Sequence, residues 1–283
     1  MTDAPVGPVG VIGLGQIGGP MATRLVDWPG GLIVFDVVAD ATAPLAEQGA
    51  VVADSVATLG GTVDVVSVMV RDDAQVREVV AELLTTARPG TAIAIHSTIR
   101  AETAEELAPV CAAQEVALLD VPVSGGFVGA VEGTLAAIVG GDRAAYERAR
   151  PVFERWATLV VHMGDVGAGT RTKLARNIVH YVAYTGAMEA QRLAEAAGLD
   201  LRKLAKIVRH SDAVTGGPSA IMVRDRTVDL EPDDPFHDIF VHTRDLAEKD
   251  LDLALELAGA LGQDLPVTTL TRAELAAALG VPH

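Results

Sequence analysis

Short runs of β-branched and aliphatic residues alternate with longer Ala/Leu-rich stretches through the first third of the chain. Residues 9–14 (VGVIGL), 32–36 (LIVFD), 63–70 (VDVVSVMV) and 91–96 (TAIAIH) are short and almost continuously apolar. That is the pattern of strands buried on both faces. Residues 20–28, 41–48 and 73–87 read as helices between them, the first stopped by Pro29-Gly30-Gly31. Such an alternation predicts βαβ units and a parallel sheet covered on both sides. Two further strand-like segments follow, at 116–123 and 134–139.

Beyond Val161 the pattern changes. Residues 169–197 hold a helical period with no proline inside, and 201–210, 243–261 and 271–279 also read as helices. No repeat, low-complexity tract or flexible linker interrupts the chain. The expected architecture is an α/β Rossmann-type parallel-sheet domain over residues 1–165. An all-helical domain over residues 166–283 follows it, joined through a long helix.

A length of 283 residues is enough for two domains with buried cores, and 49% apolar against 21% charged residues excludes a disordered chain. The formal net charge of −16 argues against a nucleic-acid partner, because a phosphate backbone would be repelled. A lone cysteine, Cys111, excludes an internal disulfide and a multi-cysteine metal site, and its Ala-rich surroundings predict burial. His96, His162 and His210 show no ligand spacing, so no metal is expected. No window reaches the roughly 18 apolar residues of a membrane span, and no basic leader precedes an apolar core. The chain is therefore expected in the cytoplasm, without a membrane partner.

Gly13-Leu14-Gly15-Gln16-Ile17-Gly18 fits G-x-G-x-x-G. The pattern is weak alone, but here it follows a strand and opens a helix, the context of a dinucleotide site. The glycines allow a tight turn and a close backbone approach to a pyrophosphate. Asp36, ending the second strand, is placed to accept from the ribose hydroxyls of NAD and to repel a 2′-phosphate; no arginine follows it before Arg71. NAD is thus expected over NADP.

Ser124-Gly125-Gly126, within Asp120-Val-Pro-Val-Ser-Gly-Gly, reads equally as an anion-binding concavity for a carboxylate or as a plain glycine-rich connection. Lys173 and Asn177 stand four apart near the start of the long helix. The helix dipole disfavours a cation there, which suits a proton-transfer residue. A solvated surface lysine remains the other reading of the residue taken alone.

Taken together, these blocks resemble the β-hydroxyacid dehydrogenase family, which includes 3-hydroxyisobutyrate dehydrogenase, tartronate semialdehyde reductase and glyoxylate/succinic semialdehyde reductases. The likeness runs from Val9 to about Thr269 through residues 13–18, 120–141, 164–177 and the Lys249-Asp250-Leu-Asp-Leu-Ala254 segment. It implies an NAD-dependent oxidoreductase that interconverts a small β-hydroxyacid and its semialdehyde, with a C-terminal domain like that of 6-phosphogluconate dehydrogenase. Lys173 resembles the family's catalytic acid/base, Ser124, Gly125 and Gly126 its carboxylate turn, and Asn177 a second substrate contact. Thr98 resembles a threonine at the nicotinamide. Met69 and Val70 match the backbone that passes the cofactor, and Lys249 matches a lysine that the second domain contributes to it. A homodimer or homotetramer is implied as well.

The chain departs from the family pattern at three places. Arg176 replaces the first of two adjacent asparagines, Val70-Arg71 stands where Leu-Pro is common, and Phe240-Val-His242-Thr-Arg244 replaces an aromatic neighbourhood, so His242 or Arg244 is a candidate substrate contact. The alternatives are an imine reductase, in which the lysine position usually carries another residue, and a non-catalytic dinucleotide-binding module.

Overall fold

A computed structural model describes residues 7–224 and 227–282. The first unit opens with β1 (Val9–Ile12), α1 (Gly18–Thr23), β2 (Leu32–Phe35), α2 (Ala43–Ala46), β3 (Val51–Val52) and α3 (Val56–Gly60). It continues with β4 (Val65–Val68), α4 (Asp73–Leu83), β5 (Ala92–Ile95), α5 (Ala101–Ala112) and β6 (Ala117–Asp120). Then come β7 (Val123–Ser124), α6 (Gly126–Glu132), β8 (Leu135–Gly140), α7 (Arg143–Phe153) and β9 (Ala157–Gly164). The long helix α8 (Ala168–Ala196) leads to α9 (Leu201–Thr215), α10 (His237–Ala260) and α11 (Pro266–Leu279). The chain divides into two compact units, Met1–Ala175 and Arg176–His283.

The sheet of the first unit has the order β3-β2-β1-β4-β5-β6-β8-β7, with β9 paired to β8. Neighbours from β3 to β6 are parallel. Strand β8 is antiparallel to β6 and β7 and parallel to β9. The expected Rossmann-type sheet is therefore present, with an antiparallel extension carrying β7. Strand order reverses at β1, between β2 and β4, and in open α/β sheets the carboxyl ends at that switch form the ligand crevice.

Burial on both faces explains the continuous apolar strands. Val9 and Val11 join one core with Leu25, Phe153 and Trp156, whereas Ile12 joins the other with Leu59, Val80, Ile93 and Ile95. Cys111 lies in that second core, where burial pushes its thiol up to about 11.

Some elements differ from the sequence pattern. The helix expected over residues 20–28 ends at Thr23; Leu25 and Val26 then donate to Ala22 and Thr23, three residues back, so the helix tightens into turns. After the Ser124-Gly125-Gly126 turn the chain enters α6, and α3, α6, α7, β3 and β9 were not expected as elements.

The described secondary structure of the second unit is helical, around a small core of Leu230, Phe240, Leu279 and Val281. Buried Glu189 of α8 accepts the amides of Val267 and Thr268 at 2.8 and 2.9 Å, satisfying the start of α11. No helix among the described residues is long and apolar enough to cross a membrane.

Candidate active site

The glycine loop between β1 and α1 is built by close backbone packing. Gly13 has φ +89°, and a Cβ there would stand 2.1 Å from the Met69 carbonyl oxygen. At Gly18 a Cβ would stand 1.9 Å from the Gly13 carbonyl. Side chains are therefore excluded at both positions. A Cβ on Gly15 would meet nothing within 4 Å, so this glycine faces open space on the ligand side of the loop. Gly13 and Gly15 line a cavity of about 370 Å³ with Asp36, Val37, Met69 and Val70. Space beside Gly15, enclosed by the ends of β1, β2 and β4, fits the pyrophosphate and adenosine of a dinucleotide.

Asp36 does more than close the cavity. Its Oδ2 accepts the Leu14 amide at 2.6 Å and its Oδ1 accepts the Val38 amide at 2.8 Å. Met69 and Val70 follow β4, where the Ser97 hydroxyl donates to the Val70 carbonyl at 2.6 Å and accepts the Val70 amide at 3.0 Å. Ser97 thus holds the carboxyl-terminal end of β4 against that of β5, beside the sequence-predicted Thr98. Thr98 is exposed just beyond β5.

Beneath Ser97, His96 is 1% exposed and neutral. Its Nδ1 lies 2.9 Å from the Val121 carbonyl and its Nε2 lies 3.0 Å from Ser67 Oγ, so Nδ1–H donates and Nε2 accepts the hydroxyl. Burial pushes its pKa down to about 4, with the Val121 bond working against that.

The second cluster lies along β6 to α6 and the first two turns of α8. Ser124 pairs with Ala136 in register, and Gly125 (φ +136°) and Gly126 (φ +64°) then turn the chain into α6 through conformations that favour glycine. Lys173 is 9% exposed, and its Nζ donates to the Val123 carbonyl at 2.6 Å. The amine therefore stands at the residue preceding Ser124, and the reading as a solvated surface lysine is excluded. Asp120, fully buried at the end of β6, accepts the Gly167 amide at 2.8 Å through Oδ1 and the Thr170 amide at 2.7 Å through Oδ2. Burial raises its pKa, and the two amides oppose that shift.

The remaining sequence-derived candidates belong to the second unit. Asn177 is half-buried and its Oδ1 accepts from Arg176 at 3.3 Å. His242 is exposed, Lys249 pairs with Asp250 at 3.1 Å, and the Arg244 guanidinium is engaged by Asp245 at 2.6 Å and by the Pro282 carbonyl.

Residues 8–164 match the NAD binding domain of 6-phosphogluconate dehydrogenase, and residues 167–281 match the NAD-binding model of NADP-dependent 3-hydroxyisobutyrate dehydrogenase. The chain belongs to the β-hydroxyacid dehydrogenase family. An uncharacterized oxidoreductase of Mycobacterium tuberculosis is 52% identical, over 100% of this chain and 97% of its own. The NAD-dependent L-serine dehydrogenase of Pseudomonas aeruginosa is 36% identical, over 93% of this chain and 89% of its own. A structure of Mycobacterium tuberculosis 3-hydroxyisobutyrate dehydrogenase with L-serine superposes with a TM-score of 0.68 at 32% identity, covering 96% of this chain and 94% of that one. The chain is thus an oxidoreductase of this family with dinucleotide-binding domains.

Proposed function

We propose that the chain is an NAD-dependent dehydrogenase that interconverts a small β-hydroxyacid and its semialdehyde, with Lys173 as general acid/base. The observation that supports this most directly is the 2.6 Å bond from Lys173 Nζ to the Val123 carbonyl, which stations a buried amine beside the Ser124-Gly125-Gly126 turn. In this reading Ser124 and the two glycine amides hold the substrate carboxylate, and the hydroxyl faces Lys173. A bound nicotinamide dinucleotide supplies the hydride acceptor for oxidation and the hydride donor for reduction. Lys173 as free amine takes the hydroxyl proton while that carbon becomes the aldehyde, and as ammonium it returns the proton in reduction. Asp36 selects NAD over NADP; Thr98, Met69, Val70 and Lys249 are assigned to the cofactor, and Asn177 and His242 to the substrate.

The same reading takes residues 1–165 as the dinucleotide domain and 166–283 as the substrate and self-association domain of a cytoplasmic homodimer or homotetramer. Ile178, Tyr181, Tyr184 and Met188, spaced three or four apart along α8, are all exposed. An apolar stripe of that kind on a helix is commonly buried against another surface. Light scattering at micromolar concentration reads the subunit number, and a monomer would refute this part.

The deciding experiment is a screen of 3-hydroxyisobutyrate, 3-hydroxypropionate, serine, threonine and 4-hydroxybutyrate with NAD, followed by NADH absorbance, beside a cyclic imine with NADH. Turnover of one or more acids is expected. Imine reduction without acid oxidation would overturn the assignment, as would NADH binding with no turnover on either class.

A further inference from the structure

Three hydrogen bonds join two short segments of the first unit that are far apart in sequence. Asp120 Oδ1 accepts from Gly167, Asp120 Oδ2 accepts from Thr170, and Lys173 Nζ donates to Val123. On one side is the strip from the end of β6 to β7, ending at the Ser124 turn. On the other is the entry and first two turns of α8. Asp120 and Val123 lie three residues apart on the first, and Thr170 and Lys173 lie three apart on the second, one helical turn from each other.

Two glycines allow the segments to meet. A Cβ on Gly169 would stand 2.4 Å from the Ile138 carbonyl oxygen and 2.5 Å from that of Asp120. A Cβ on Gly140 would stand 2.3 Å from Asp120 Oδ1 and 2.7 Å from the Gly169 amide nitrogen. The first turn of α8 therefore lies directly on the ends of β6 and β8, with no side chain between. A buried carboxylate is costly unless its acceptor sites are filled. Here they are filled by two amides at the start of α8, where intrahelical acceptors are lacking and the dipole favours an anion.

We propose that Asp120 is a positioning residue for Lys173, its carboxylate fastening the first turn of α8 to the end of β6 so that the amine is held at the substrate turn. This rests on the reading of Lys173 as the acid/base, and Asp120 itself touches neither substrate nor cofactor in it. The side chain is specific to the task. Asparagine keeps one acceptor but turns an NH₂ toward an N–H donor. Glutamate is one methylene longer in a space already bounded by Gly140. The exposed pair Arg171–Glu105, at 2.6 Å, also joins this turn to α5, but solvent-exposed pairs hold little.

The test reads the lysine without substrate. Unliganded protein is treated with limiting acetic anhydride at pH 8, and acetylation of Lys173 is quantified by peptide mass spectrometry against Lys203 and Lys206 of the same digest. The variants are Asp120→Asn and Thr170→Pro. The second removes the amide donor and the hydroxyl of residue 170 and leaves the carboxylate in place, and proline is tolerated in the first turn of a helix.

Both variants are expected to raise relative Lys173 acetylation by about fivefold or more, the size of one lost hydrogen bond. With a substrate in hand, kcat should fall by about tenfold or more with KM within about threefold, as when a group acting in the transition state is misplaced. Folded variants with Lys173 acetylation within about twofold of the wild type would overturn the proposal. So would loss of folding in both, since Asp120 would then support the fold and not the lysine in particular. An unchanged lysine counts against the clamp even if the wild type oxidises a hydroxyacid. A more reactive one supports it even if every acid in the screen fails.

Discussion

The carboxylate of Asp36 accepts the Leu14 amide at 2.6 Å, so the end of β2 is tied directly to the glycine loop. With the Val38 amide at 2.8 Å, both oxygens are engaged by backbone. A carboxylate has about four acceptor sites, so in the reading proposed above Asp36 keeps capacity for ribose hydroxyls while its charge opposes a 2′-phosphate. Val37 and Val38, 89% and 59% exposed, bring no cation. Arg71, on the rim of the same cavity, pairs with Asp72 at 3.2 Å.

The cofactor preference follows from this charge. NAD should exceed NADP in kcat/KM by about tenfold or more, since a lost hydrogen bond to a charged group costs ~1.5–3 kcal/mol before repulsion is added. Asp36→Ser with Val37→Arg should narrow or reverse the ratio. Because Asp36 also holds Leu14, the serine variant should bind both dinucleotides less tightly than a purely selective residue would imply. Equal kcat/KM values in the wild type would show that the carboxylate serves the loop alone.

Replacing Lys173 by alanine should lower turnover by ~10²–10⁴-fold, the range of general acid/base catalysis. NADH affinity, measured by fluorescence titration, should stay within a few-fold, because the lysine donates to the Val123 carbonyl on the strip that ends at Ser124. A variant with half the wild-type rate would remove Lys173 from the chemistry.

Ser124→Ala should act mainly on KM. A hydroxyl bonded to a substrate carboxylate is worth ~1.5–3 kcal/mol, or roughly 10- to 100-fold in KM for the acid, with a smaller loss in kcat. An unchanged KM would place the carboxylate elsewhere.

His96 gives the fold a sensitivity to acid. Its folded pKa of about 4 lies below the ordinary 6.5, so protonation favours the unfolded chain. Stability from this group is complete above pH 6.5 and erodes as pH falls toward 4, by about 3 kcal/mol at most. Urea unfolding at pH 7.5 and 4.5 measures the loss. His96→Gln should shrink the pH-dependent part, whereas the same change at exposed His210 should leave it intact. Equal slopes in both variants would show that His96 does not titrate on unfolding.

Strands β1, β2, β4 and β5 were legible because burial on both faces leaves continuous apolar runs. The glycine loop was legible because its context is sequential. Strand β9 was missed because Leu159 and Val161, exposed on one face, do not give a buried run, and α7 because Pro151 and several charges obscure the buried face of Tyr146, Ala149 and Phe153. Asp120 was visible only as the first letter of a motif. Its partners Gly167 and Thr170 lie 47 and 50 residues further on, a distance at which local pattern carries no information. Ser97 escaped for the same reason, since its partner Val70 lies 27 residues back.

The pairing of β8 with the strip before it sets a rule for length as opposed to letter. Asp120 opposes Gly140, Val123 opposes Ala137 and Ser124 opposes Ala136, a single unbroken alignment. Exchanging a residue within 120–124 keeps that alignment and alters only the exchanged residue's own contacts. Adding or deleting one residue there slides the residues on one side of the change along β8 and turns their side chains to the other face, which breaks the common alignment of Asp120 and Ser124. Point changes at this stretch therefore act through one side chain at a time, while an insertion or deletion displaces several at once.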